Sequence, residues 1–149
     1  AHGVPANLNL REAIRGIHDS LRATSLAMSE KAVLPGGGAS HSMIAHHVRS
    51  EMESEPGRER IAMEAFARAM ETIPAVLAEN SGQNPLDKVL KLRSEARIGN
   101  CMGIDRDGEI TLPEGVWHPK SVISGSLETA TETAISMLRI DQVVSARGD

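Results

Sequence analysis

The tract Val33-Leu34-Pro35-Gly36-Gly37-Gly38-Ala39-Ser40 constrains the fold more than any other part of this chain. Helix-like sequence lies on both sides of it, and three consecutive glycines inside a regular element would carry a large entropic cost. Glycine has no Cβ, so it reaches positive φ and lets another backbone or a ligand come close. Ser40 then offers an N-cap for a following helix. A glycine loop feeding a helix N-terminus presents free N–H groups at the positive end of the helix dipole, which suits an anion or a nucleotide. The spacing matches neither the Walker A pattern nor the dinucleotide fingerprint, so a tight turn between packed elements explains the tract equally well.

The 149 residues are enough for one domain with a sizeable core. That core has to be aliphatic, because the chain holds one Phe, one Trp and no Tyr, against seven Met. The same scarcity of rings, with a net charge of −4, argues against nucleic acid as a partner, since little is left to stack on bases and the overall charge repels a phosphate backbone. Cys101 is the single cysteine, which excludes an internal disulfide and fits a reducing compartment. No apolar run approaches the ~18 residues of a membrane span, and the N-terminus lacks a signal-peptide layout, so the expected location is cytoplasmic.

The periodicity predicts a mainly α chain of five helices with a little β-structure. Ala1 to Leu8 forms a polar lead-in, and Asn9 with Glu12 resembles a capping box. Leu10, Ile14, Ile17, Leu21 and Met28 then describe the buried face of a first long helix. Ala32 to Leu34 suits a brief strand. A second helix over about Ser40 to Glu53 buries Met43, Ile44, Val48 and Met52, and Pro56-Gly57 ends it. In a third, Ile61, Ala65, Phe66, Ala69, Met70, Ile73 and Leu77 share a face, while Glu64, Arg68 and Glu71 are expected in water. Pro74 should bend that helix without ending it, and Asn80-Ser81-Gly82 closes it. Asn84-Pro85 reads as an N-cap with proline at the first helical position, opening a fourth helix through Leu86, Val89, Leu90 and Leu92 to about Arg97. Cys101 to Leu112, centred on Asp107-Gly108, is a small hairpin. A fifth helix carries Val122, Ile123, Leu127, Ala130, Ala134, Ile135 and Leu138, and Gln142-Val143-Val144 is a short extended end.

Several residues invite chemistry. Asp19 lies near the edge of the apolar face of the first helix, where a carboxylate serves as a general base or a metal partner, or is simply solvated. His41, His46 and His47 stand five, six and one residues apart, not the three or four that lets helical histidines share a metal, so no metal site is expected. Asp105-Arg106-Asp107-Gly108 with Glu114 imitates part of a calcium loop, but Gly103 occupies the first ligand position, which favours a hairpin turn. Arg147-Gly148-Asp149 spells an adhesion tripeptide by coincidence. Cys101 reads as a small hydrophobe without partners for nucleophilic catalysis.

Four stretches in order carry a resemblance: Ile17-His18-Asp19-Ser20-Leu21, Val33 to Ala39, Ala65 to Pro74 continuing into Leu77 to Gly82, and Met137-Leu138-Arg139-Ile140-Asp141. Together they resemble the C-terminal part of a group II chaperonin subunit, the thermosome and eukaryotic cytosolic TCP-1 family, from about Arg11 to Val144. The resemblance implies that residues 1–31 correspond to a lead-in and an intermediate-domain helix, and residues 32–149 to the C-terminal half of the equatorial, ATP-binding and ring-forming domain. It does not extend to the substrate-facing apical domain or to the half of the equatorial domain that carries the phosphate-binding loop.

By position, Asp19 matches the aspartate that positions or activates the attacking water in ATP hydrolysis. Gly36, Gly37 and Gly38 match the glycine run lining the ribose and adenine side of the nucleotide, whereas the loop and helix dipole by themselves would place a phosphate there. Gly103, Ile104 and Asp105 match a hairpin that touches the base. His118 is a departure, because the family commonly places an acidic residue before this proline to bond the ribose hydroxyls; an imidazole can still do so. Leu138 to Val144 resembles a segment that adds a strand to a neighbouring subunit's sheet. The implied cofactors are ATP and magnesium, and the implied partners are other subunits of a ring and, through the apical domain, unfolded client proteins, with no nucleic acid or membrane. The expected role is therefore part of an ATP-dependent folding machine whose full-length subunit is an ATPase, the 149-residue chain being silent alone. The alternatives are a non-catalytic structural or assembly piece that exposes apolar helix faces and turns over no ATP, and an unrelated helical metal-binding protein.

Overall fold

The computed structural model describes residues 6–139, with side chains from residue 11. Among them are five helices, α1 (Ala6–Glu30), α2 (Ala39–Met52), α3 (Arg58–Asn80), α4 (Pro85–Arg97) and α5 (Lys120–Leu138). Four short strands, β1 (Val33–Pro35), β2 (Gly103–Ile104), β3 (Ile110–Thr111) and β4 (Trp117–Pro119), form two two-stranded sheets, β1 with β4 and β2 with β3. The mainly α expectation holds. Two compact units result: α1 with α5, and Val33–His118. The expected extended end at Gln142 to Val144, the inter-subunit strand beyond Leu138, the lead-in over Ala1 to Pro5, Ile140-Asp141 and the Arg147-Gly148-Asp149 tripeptide lie outside the described residues.

In the first unit α1 begins at Ala6, so Asn9 lies inside the helix and the Asn9–Glu12 capping box does not form. Local sequence was a weak guide because the helix starts before the residue that looked like its start signal. The apolar face of α1 is open: Ile14, Ile17, Leu21 and Met28 are exposed in this unit. α5 buries Ile123 alone. The two helices meet at their ends, where the Ser121 N–H donates to Glu30 Oε2 at 3.1 Å and the Lys120 N–H to the Ala32 carbonyl at 3.2 Å. The bond from Ser121 holds the Glu30 carboxyl below its ordinary value.

The second unit is built on small residues. Ala39, Ala45, Ala67, Ala78 and Ala96 are buried, which lets α2, α3 and α4 pack with their backbones close. Ala78, Leu92 and Ile104 form a buried cluster, with Met102 and Ile110 against it. On α3 the buried stripe is Ala67, Met70, Glu71, Pro74 and Ala78, a three-and-four spacing that follows one face. The stripe is rotated from the expected one. Ile61, Ile73 and Leu77 are exposed, and Glu71, expected in water, is 6% exposed. On α4 the same shift leaves Leu86 and Leu90 exposed while Val89, Leu92 and Ala96 are buried. On α2 the predicted Met43, Ile44, Val48 and Met52 are half-buried, and Ala39, Ser40, Ser42 and Ala45 take the centre. Periodicity located the helices; side-chain size misled about which face goes inside.

The end of α3 and the start of α4 follow local chemistry closely. The Asn84 side chain accepts from the N–H groups of Leu86 (2.9 Å) and Asp87 (3.3 Å), with Pro85 at the first helical position. At the end of α3, Gly82 has φ +75°, its N–H donates to Glu79 O, and the Gln83 N–H reaches back to Ala78 O. These two bonds make a Schellman motif that satisfies the last carbonyls. Pro74 sits inside α3, which runs on past it. Between β2 and β3, the Gly108 N–H bonds to Asp105 O and the Asp105 N–H to Glu109 O, with Gly108 at φ +81°. This is a turn closed by a glycine bulge, the expected hairpin.

Candidate functional site

The glycine tract is where the second unit converges. The Gly36 N–H donates to Val116 O at 2.8 Å, and the Ile104 N–H donates to Gly37 O at 2.8 Å. These two bonds tie the tract to the segment entering β4 on one side and to β2 on the other. Gly37 and Gly38 adopt φ +61° and +76°, a region that side-chain-bearing residues rarely enter. The space beside each glycine is also taken. A Cβ on Gly38 would lie 2.8 Å from Pro74 Cβ, one on Gly37 would lie 2.8 Å from Ile104 O, and one on Gly36 would collide with Val116. Gly103 answers from the other side, its Cβ position falling 2.9 Å from Gly37 O. The glycines thus let α3 and β2 close onto the loop.

Ser40 does not cap α2, because the N-cap position belongs to Gly38. Instead its Oγ donates to Pro35 O at 2.6 Å, and Ser42 Oγ donates to Gly38 O at 3.0 Å. The N–H groups of Gly37 and Gly38 meet no protein acceptor among the described residues. Two donors without a protein partner at the start of a helix are the kind of groups that a ligand oxygen or ring nitrogen accepts from, Gly37 being half-buried and Gly38 buried.

Around this loop the structure brings together the predicted Gly36, Gly37, Gly38, Gly103, Ile104 and His118. Asp105 follows Ile104 directly, but its Oδ1 accepts from the N–H groups of Asp107 (2.9 Å) and Glu109 (2.8 Å), so the carboxylate organises its own turn. That employment is why the tract imitates a calcium loop. His118 is half-buried on β4, next to the strand that leads into the glycines. His41, in the first turn of α2, is its neighbour. Burial, and after it the charge of His118, hold the His41 imidazole below its ordinary value, so it stays neutral at pH 7. Sequence reading had weighed His41 only as a metal ligand; its place one turn beyond the glycines was the signal for more. His46 and His47 point elsewhere on α2, His47 being exposed. Asp19 lies in the other unit, exposed in the middle of α1, with no ion-pair partner among the described residues. Cys101 is half-buried, and burial raises its thiol above the ordinary value, which makes it a poor nucleophile.

A second polar cluster was not foreseen. Glu71, in the buried stripe of α3, accepts from Arg49 of α2 (Nη2 at 2.8 Å) and Arg93 of α4 (Nε at 2.7 Å). Arg49 also donates through Nε to Glu64 at 2.9 Å. Burial alone would raise the Glu71 carboxyl, but the bonds from Arg49 and Arg93 prevail and hold it below its ordinary value. Arg49 is correspondingly raised, first by its bond to Glu71. Glu64 and Glu71 stand seven residues apart, two turns on one face of α3, which is the pattern that could have disclosed the pair.

The glycine loop makes a direct forecast. Gly38→Ala adds a Cβ at positive φ, at about 1–2 kcal/mol, and forces it into Pro74, at about 1–3 kcal/mol. Chemical denaturation should show a loss of roughly 2–5 kcal/mol. Gly125→Ala, in α5 with open space at the Cβ position, should be neutral or stabilising.

A sequence profile of the TCP-1/cpn60 chaperonin family matches residues 5–148. The chain belongs to that family. It is 39% identical over 142 residues to a thermosome subunit of Methanocaldococcus jannaschii, covering 92% of this chain and 26% of the relative. Against the thermosome subunit beta of Thermoplasma acidophilum it is 43% identical over 140 residues, 91% of this chain and 26% of that one. Among solved structures, the open-state monomer of a group II chaperonin from Methanococcoides burtonii superposes with a TM-score of 0.77 at 30% identity, covering 85% of this chain and 32% of the other. The chain therefore spans about a quarter of the length of the curated relatives it matches. Among the described residues, no helix of this chaperonin chain is long and apolar enough to cross a membrane.

Proposed function

We propose that this chain works as part of a subunit of an ATP-driven chaperonin that assists protein folding, with Val33–His118 supplying the nucleoside side of the ATP site. One observation supports this most: the N–H groups of Gly37 and Gly38 meet no protein acceptor among the described residues, in a loop whose Gly37 carbonyl bonds Ile104 and whose preceding strand pairs with the strand that carries His118, in a chain of chaperonin sequence. The glycine N–H groups would donate to the nucleoside, His118 would bond a ribose hydroxyl through a ring nitrogen, and the backbone at the start of the hairpin, from Gly103 to Asp105, would bear on the base. The phosphate and magnesium ligands are drawn from a part of the subunit outside this chain. Asp19 orients the attacking water, and ATP turnover biases a ring of subunits between open and closed states.

The second reading, a structural piece with no ATP turnover of its own, also has an observation behind it. Every Cβ direction in the glycine run is occupied by protein, so packing alone explains these residues. Calorimetry of Mg-ATP with the chain, and with the subunit completed to the length of its relatives, separates the two. The first reading expects saturable binding in the completed subunit, weakened about fivefold by His118→Ala, the worth of one hydrogen bond. A completed subunit that binds no ATP sinks it.

A further inference from the structure

The face of the second unit formed by α2, α3 and α4 holds a cavity of about 450 Å³, lined by His46, Arg49, Ser50, Glu53, Arg60, Arg93 and Arg97 among others. Four guanidinium groups in one cavity are notable in a chain whose net charge is −4. Two of them are already occupied. Arg49 is held by Glu64 and Glu71, and Arg93 turns its Nε and Nη2 to Glu71. The two glutamates offset these two arginines. Arg60 and Arg97 make no ion pair among the described residues, and the cavity wall sets only Glu53 against them. The cavity therefore keeps a net positive charge, with two exposed guanidiniums and the Nη1 edge of Arg93 available to a ligand.

We infer that this cavity is a binding site for a multiply charged phosphate-type oxyanion of small-molecule size, separate from the glycine loop. Three features support that class of ligand. Guanidinium groups match oxyanions with paired, fork-shaped donors, and several converging on one point favour an anion with more than one charge. The Glu71 network fixes Arg93 and the local backbone, so little has to be ordered on binding. The volume lies within the roughly 300–1,000 Å³ typical of small-ligand sites, too small for a folded partner.

The test uses the full 149-residue chain with inorganic tripolyphosphate, titrated by calorimetry without magnesium at low and at physiological salt. Saturable binding with one site per chain is expected, at least tenfold weaker in the Arg60→Ala/Arg97→Ala double variant. Both side chains are exposed, so that variant should keep its unfolding midpoint. Arg106→Ala, on the hairpin turn, should bind as the parent does. Absence of saturable binding at millimolar tripolyphosphate overturns the proposal. So does equal weakening by Arg106→Ala, which would mean diffuse attraction rather than a site, and so does tighter binding of an acidic peptide than of tripolyphosphate.

Discussion

Replacing Glu71 by alanine should destabilise the second unit by about 3–5 kcal/mol, the cost of breaking a buried ion pair by removing one partner. The side chain is 8% exposed and bonds two arginines from two other helices. Its loss leaves Arg49, itself mostly buried, with Glu64 alone and Arg93 with no carboxylate in reach among the described residues. The measurement is urea unfolding followed by helix signal, with Glu114→Ala on the exposed turn as a control expected within about 0.5 kcal/mol of the parent. Glu71→Gln should fall between, since it keeps the shape and one acceptor but not the charge. An unchanged midpoint for Glu71→Ala would show that this network contributes nothing to stability.

The same group sets an acid limit. The folded-state carboxyl of Glu71 is depressed below the ordinary 4.5. A group depressed on folding adds stability above its unfolded value and loses it as the pH falls through the folded one. Stability should therefore be full at neutral pH and decline below about pH 4.5, less steeply in Glu71→Gln, which has no such carboxylate to protonate.

The second large effect concerns Asp19. In a subunit completed to the length of its relatives, Asp19→Ala should lower ATP turnover at least about 100-fold, the lower end of what a positioned base contributes. Phosphate release gives the rate. ATP affinity and the unfolding midpoint should stay close to the parent's, because Asp19 is exposed, makes no ion pair among the described residues, and yields to a better helix former. Unimpaired turnover would remove Asp19 from the mechanism and favour the non-catalytic reading. A lowered midpoint with lowered turnover would make it a structural residue.

Why the two polar clusters differ in legibility is instructive. The glycine loop announced itself because a run of three glycines has few explanations, and both readings of it, close packing and a ligand-facing loop, rest on the same absent Cβ. Glu71 was misplaced because a glutamate in an amphipathic helix is nearly always solvated. Nothing local says that Arg49, 22 residues earlier, and Arg93, 22 later, will reach it. Large aliphatic residues misled in the opposite sense: Ile61, Ile73, Leu77, Leu86 and Leu90 keep perfect helical phase yet remain exposed in this unit.

What the sequence determined by itself is what short-range chemistry controls. The mainly α class, the five helices, the Asn84-Pro85 start, the Ser81-Gly82 stop and the Asp105 to Glu109 turn all depend on bonds within a few residues, so local residue type is sufficient. The family, too, was readable from four short stretches in order. The tertiary structure alone decided which face of each helix is buried, that Pro74 presses on Gly38, and that His41 stands beside His118. It also decided that four arginines share one cavity. Those outcomes depend on which distant backbones can approach, and here alanine and glycine, by being small, governed the approach more than the large hydrophobic side chains did.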